Sequence, residues 1–373
     1  MGIGCLADAY LVSALPVSES YGLTETTSAR VSEDGVEGYT RALNALIGNA
    51  LPNRSRTSLR VGNAMFLFWT RQPEDSLPVA DILEQPTNES VEMILQSPAA
   101  GREVRVVDDN HFYCLTLTAN SARIVVRDYL ETSLPEVRQH LARWFVDLRM
   151  IDQYTGEVTA TVSLLELARA LVRDLEELPP HVPAQLLGAA IYGRPLPDSL
   201  LAACLRRLAV EGGAGFRRPR MSLIRLILNR THAMETPMSE HLNPSGCTPA
   251  YLCGRLLAIF ERVQSAALGD VNASVVDRFY GTASTAPALV FPRLFKSAEQ
   301  HLSKLQGERP GQAVNLQKEI EAVTLGLQSF PLMLSLPQQG QFALGFYHQR
   351  ADFRTRSAVK NQVAPAEQPQ AQA

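Results

Sequence analysis

From Pro179-Pro180 onward, prolines fall again and again at the front of apolar segments with helical spacing. Proline has no N–H to donate and a φ already near the helical value. It is tolerated in the first turn of a helix and breaks the interior of helices and strands alike. Pro183, Pro197, Pro219, Pro249 and Pro287 therefore mark helix starts and confine this half of the chain to an all-helical architecture. The expected helices are Pro183–Tyr192, Pro197–Val210, Pro219–Arg230, Pro249–Leu268, Pro287–Gln306 and Val314–Gln328, with a last turn near Gln338–Tyr347. Thr248, just before Pro249, supplies an N-cap hydroxyl. The Gln/Pro/Ala segment from Val363 to Ala373 is expected to be disordered.

The first part of the chain has a different rhythm. Val36, Tyr39, Leu43, Leu46 and Ile47 have helical spacing, whereas Arg60–Arg71 is strand-like around the run Phe66-Leu67-Phe68-Trp69. Pro73–Pro98 is rich in Pro, Glu, Asp and Ser and reads as a surface connection. Strands are expected at Glu103–Val107, Phe112–Thr118 and Ala122–Tyr129, the last two joined by a turn at Ala119-Asn120-Ser121. Ser133 with Glu136, and Ser163 with Glu166, have the spacing of capping boxes, and each opens a helix. The fold class is α+β: a mixed α/β N-terminal part with a small antiparallel sheet, then a mainly helical region ending in a helical bundle. The expected divisions are 1–150, a helical connector at 151–235, the bundle at 236–350, and a disordered tail at 351–373.

A hydrophobic content of 46% over 373 residues is enough for a large core. The net charge of −3 supplies no global pull toward nucleic acid, so any polyanion site must be a local patch. Only Lys296, Lys304, Lys318 and Lys360 among the 35 basic residues are lysines. Arginine forks suit phosphate, although a GC-rich genome produces the same bias. The cysteines Cys5, Cys114, Cys204, Cys247 and Cys253 have no paired CxxC spacing, which fits reduced, buried thiols in a cytoplasm. The N-terminus lacks a signal-peptide pattern, and no apolar window is long enough to span a membrane.

Candidate contacts with a polyanion fall in three places. Arg123 and Arg127 are four apart on one strand, just after the polar turn at Asn120-Ser121; a solvated sheet face is the competing reading. Arg217, Arg218, Arg220, Arg225 and Arg230 follow a glycine-rich approach without an intervening acid, which suits phosphate contact or a solvated helix face. In the bundle, Tyr251, Arg255, Arg262, Arg278, Tyr280, Arg293, Lys296, Lys304, His348, Arg350, Arg354 and Arg356 interleave rings and cations, as a groove for single strands would.

There is no GxSxG, Walker loop, HExxH or paired CxxC, so no catalytic residue, metal site or cofactor is assigned. Asp108-Asp109-Asn110-His111 has the residue types of a divalent-ion site and leaves open a metal-dependent nuclease. A tight turn between strands calls for the same residues. A third reading is an assembly adaptor that contacts protein only.

Two long ungapped blocks, Asp277 to Ser284 and Gln338 to Arg350, carry a resemblance. Ser20-Tyr21-Gly22, Phe68-Trp69, Asn120-Ser121-Ala122-Arg123, Pro249-Ala250-Tyr251 and Gly254-Arg255-Leu256 extend it over most of the chain. This wording resembles the large subunit of the type I-C (Dvulg subtype) CRISPR surveillance complex, Cascade. The resemblance implies a non-enzymatic DNA-binding subunit in antiviral defence that stabilises the R-loop. Its implied partners are the backbone and small Cascade subunits, the guide RNA complex, target DNA and the helicase-nuclease effector. Arg123, Arg127, Arg217, Arg218, Arg220, Arg225, Arg255, Arg278, Lys296, Lys304, His348 and Arg350 are the expected DNA contacts. In that family a substantial region precedes the Ser20-Tyr21-Gly22 block, and here only a short stretch does, so a truncated N-terminus is expected. The resemblance also implies a separate small subunit made from an internal start, for which Met234 and Met238 are placed.

Overall fold

The computed structural model describes residues 32–48, 56–72, 77–96, 110–120, 123–232, 237–244, 248–269 and 271–363. The chain divides into two compact units, Met1–Val146 with Thr161–Arg194, and Asp147–Ala160 with Pro195–Ala373. The segment 151–235 is thus shared between two units.

In the first unit Ser32 caps helix α1 (Glu33–Ile47), its hydroxyl oxygen accepting from the Gly35 N–H. Strands β1 (Ser58–Val61) and β2 (Ala64–Thr70) form a hairpin through Gly62-Asn63, and Gly62 supplies the left-handed φ of 57° that the tight turn requires. The predicted strand Arg60–Arg71 is therefore two arms. Strands β3 (His111–Asn120) and β4 (Arg123–Ser133) complete an antiparallel sheet of order β1-β2-β3-β4. Alternation sends Leu59, Phe66, Phe68, Phe112, Cys114 and Leu130 to one buried face. On the opposite face Met65, Leu67 and Leu117 are buried with Leu43, Leu46 and Ile47 of α1 packed against them.

The segment expected to be a surface connection holds two helices, α2 (Val79–Glu84) and α3 (Asn88–Leu95). Val79, Ile82, Leu83, Val91 and Ile94 are buried, so apolar spacing prevails over a composition that reads as loop. The predicted strand Glu103–Val107 lies outside the described residues. Both capping boxes form. Ser133 and Glu136 exchange bonds of 3.3 and 3.4 Å ahead of α4 (Leu134–Leu148), and Ser163 and Glu166 exchange bonds of 2.8 and 3.1 Å ahead of α5 (Leu164–Leu171). Helix α6 (Val182–Tyr192) ends at left-handed Gly193.

The second unit has a two-stranded ribbon, β5 (Met150–Ile151) with β6 (Val158–Thr159). Its helices are α7 (Asp198–Glu211), α8 (Arg218–Thr231), α9 (Pro249–Leu268), α10 (Val275–Ala283), α11 (Pro287–Glu308), α12 (Pro310–Thr324) and α13 (Leu336–Val363). The expected last turn is the middle of α13, which continues through residues 351–363 where a disordered tail was expected. Arg356 holds this extension, pairing with Glu319 of α12 and with Asp352 one turn back. Helices α9 and α13 cross so closely that a Cβ on Gly254 would run into the Phe342 carbonyl, and one on Gly345 into that of Tyr251. Phe216, Tyr280, Phe342 and Phe346 cluster in this unit, with Phe216–Phe346 centroids 4.3 Å apart and Phe216–Tyr280 centroids 5.2 Å apart.

Candidate nucleic-acid interface

Four of the expected DNA contacts are interior residues. Arg220 is 3% exposed and donates to Glu211 at 2.8 Å and to the Gly215 carbonyl at 2.7 Å. Arg225 donates to the carbonyls of Met238 (2.8 Å), Asp147 (2.9 Å) and Arg149 (3.2 Å), tying the 237–244 segment to the β5 end of the unit. Arg255 donates to Gln349 at 2.9 Å. His348 is fully buried, with Nδ1 2.9 Å from the Tyr251 hydroxyl and Nε2 3.3 Å from Met150 Sδ. Burial, with Arg225 and His241 nearby, pushes its pKa down to about 3, so it is neutral at physiological pH. These side chains satisfy buried carbonyls and partners within the fold, which corrects the expectation that they grip a strand. Tyr280 is likewise a core ring, 2% exposed.

Other predicted residues sit at or near the surface. Arg217 is exposed. Arg218 is half-buried and lies 3.7 Å from Asp152. Arg127 is exposed and donates from Nε to Thr118 Oγ1 at 2.8 Å, beside the β3–β4 register shift. Arg123 opens β4 opposite Asn120. Arg350 is partly buried, donates to the Gly213 carbonyl at 2.9 Å, and has Nε 3.6 Å from Glu261.

A trough runs along α9, α12 and α13. One cavity of about 540 Å³ is lined by Arg262, Asn315, Lys318, Glu319, Phe353 and Arg356. A second, of about 600 Å³, is lined by Glu261, Arg262, Gln264, Arg350, Phe353 and Arg354. The two share Arg262, Phe353 and Ser357 and form one concave surface. Five cations line it against two carboxylates. Of these, Glu319 pairs with Arg356 and Glu261 faces Arg350. Burial lifts the Glu261 carboxyl above its ordinary value, against the opposing pull of Arg350 and Arg354. Arg262 and Lys318 make no ion pair among the described residues, so their charges are available to a ligand. Lys318 was missed as a contact because only the packing of α12 against α9 brings it beside Arg262.

A second cationic surface follows α11. Arg293, Lys296, Gln300 and Lys304 recur at helical spacing on one exposed stripe, with the exposed Glu299 one turn from Lys296 and Glu308 one turn beyond Lys304. The Arg293 guanidinium lies 5.3 Å from the Phe279 ring centroid. Arg278 on α10 is exposed.

Asp108 and Asp109 lie outside the described residues, and His111 Nδ1 is 2.9 Å from Glu131 Oε1. Among the described residues no group of three His, Cys, Asp or Glu is placed to hold a metal, and no helix is long and apolar enough to cross a membrane. Cys114, Cys204 and Cys253 are buried free thiols, while Cys5 and Cys247 lie outside the described residues.

A family model described as CRISPR-associated protein (Cas_Csd1) matches residues 6–354. No curated protein matches the chain.

Proposed function

The chain belongs to the CRISPR-associated protein (Cas_Csd1) family, and on that premise we propose that it is a non-catalytic DNA-holding subunit of a type I-C interference complex. In such recognition, base pairing with a guide RNA reads the sequence, and protein holds the opened DNA through its backbone. The observation that carries this reading is the α9–α12–α13 trough, where Arg262 and Lys318 stand unpaired among the described residues beside Phe353. A trough of four arginines and one lysine with a ring in its wall suits a nucleic-acid strand. The exposed Arg278, Arg293, Lys296 and Lys304 give the same unit a second cationic surface, and Arg217 and Arg127 are further exposed candidates. The partners in this reading are the backbone and small subunits, the guide RNA, target DNA and the effector that cuts it.

The test is the salt dependence of DNA binding. Each phosphate contact removed lowers the slope of log K against log salt by about 0.9 for duplex and about 0.7 for single strands. Arg262→Ala with Lys318→Ala should lower the slope by roughly two such steps, evenly across sequences. An unchanged slope would refute the trough as the DNA site.

A specific observation also favours an adaptor reading. Leu289, Leu332 and Met333 are each at least 75% exposed, and Ala288 donates to the Pro331 carbonyl at 3.1 Å, which sets them in one apolar patch. If co-expression with the other subunits protects this patch while the trough variant binds DNA normally, protein docking is the principal role.

A further inference from the structure

We infer that the aromatic end of the four-stranded sheet is a stacking platform for unpaired nucleobases, separate from the cationic trough of the other unit. Trp69 of β2, Tyr113 of β3 and Tyr129 of β4 lie on the same face, opposite the buried Phe66–Phe112 side. Their ring centroids are 5.5 Å apart for Trp69–Tyr113 and 6.4 Å apart for both Tyr113–Tyr129 and Trp69–Tyr129, with interplanar angles of 16°, 25° and 40°. His111 continues the row, 6.2 Å from Tyr113.

The chemistry of this face changes along its length. Where it is aliphatic, at Met65, Leu67 and Leu117, α1 covers it with Leu43, Leu46 and Ile47. Where it becomes aromatic, it opens to solvent: Tyr129 is 52% exposed, and Trp69 and Tyr113 are half-buried. An aliphatic helix suits the first kind of surface. Rings carrying polar edges suit flat π-systems, and every base has a π-face.

The rim supplies what the attached phosphates need. Arg71 is exposed just past the end of β2, and its backbone N–H donates to the His111 carbonyl at 2.9 Å, which holds it at the aromatic end of the sheet. Glu131, opposite Tyr113, is an exposed carboxylate at this end of the sheet, its Oε1 2.9 Å from His111 Nδ1, which favours contact through bases over contact through phosphates here. The ligand class is therefore single-stranded nucleic acid held mainly through its bases. The inference rests on the nucleic-acid reading above, but it concerns base contacts where that reading concerns phosphates.

The chain contains its own reporter. It has two tryptophans, and Trp144 is 1% exposed, so quenching by a stacked base reports on Trp69. The full chain is titrated with a short thymidine oligonucleotide, the matching uridine oligonucleotide, and an abasic strand of the same length. The expected result is quenching by base-bearing strands and none by the abasic strand, with the stronger of thymidine and uridine identifying DNA or RNA as the source. Tyr129→Ala should weaken the quenching titration by at least about fivefold, and Tyr129→Phe should preserve it. Circular dichroism and a thermal melt confirm the fold of each variant, and the wild-type comparison of base-bearing with abasic strands decides the matter even if Tyr129→Ala unfolds. Equal responses to abasic and base-bearing strands, or no response to either, overturn the platform. Binding of a labelled abasic strand, which has phosphates but no bases, reads the trough by itself, so the platform and the trough fail independently.

Discussion

The crossing of α9 and α13 predicts a large effect from one methyl group. In Gly345→Ala the new Cβ would meet the Tyr251 carbonyl oxygen and lie 3.1 Å from Tyr251 Cα, with backbone rather than a flexible side-chain tip in the way. The helices must separate, and overpacking of this kind costs about 1–3 kcal/mol. Separation also loosens the Tyr251–His348 and Arg255–Gln349 hydrogen bonds, which bridge the same pair of helices and are worth about 1 kcal/mol each. Replacing glycine by alanine inside a helix offsets roughly 1 kcal/mol. The net expectation is destabilisation of the second unit by about 2–4 kcal/mol, read as a lower urea midpoint and a Tm lowered on the order of 10 °C. Gly281→Ala is the matched control, since nothing lies within 4 Å of an added Cβ there and it should stabilise slightly. A Gly345→Ala protein as stable as wild type would refute the close crossing.

Two further outcomes follow from the interior. His348 has a folded pKa of about 3 against an ordinary 6.5, so between those values the unfolded chain binds the extra proton and stability falls as pH falls. The slope is about 1.4 kcal/mol per pH unit below 6.5, and His348→Gln should remove it from a comparison of urea midpoints at neutral and mildly acidic pH; equal pH slopes would refute it. Translation from Met234 or Met238 would give a short product lacking α7 and α8. Changing both to Leu should abolish a short band from the untagged gene, and its persistence would exclude these starts.

What was legible depended on whether the signal was local. Capping boxes and N-terminal prolines act within one turn, so Ser133, Ser163, Thr248 and the Pro-led helix starts were readable directly. The strand-like run Arg60–Arg71 contains the Gly62-Asn63 pair, a two-residue hairpin signal that divides it, whereas helices α2 and α3 were hidden under a loop-like composition. The basic run at Arg217–Arg230 misled because one helix, α8, turns Arg220 and Arg225 inward while Arg217 stays in water. Linear charge density does not reveal which face a partner helix covers.

The same logic explains why the most conspicuous words in the chain are packing and the candidate DNA surface is plain. A close helix crossing restricts each position: glycine where backbones touch, a ring of one size beside it, and a polar group only where its partner stands opposite. Gly254-Arg255 and Gly345 to Gln349 meet all three demands and read as a distinctive block. A phosphate-holding surface demands only unpaired cations on one side of a helix, and Arg, Lys and many spacings satisfy that equally. Arg262 and Lys318 therefore carry little sequence signature, and their convergence is a product of tertiary structure. Substitutions in the conspicuous blocks should abolish DNA binding by unfolding the bundle, whereas substitutions in the trough should change the salt slope with the melting curve unmoved. Only the second pattern identifies a contact.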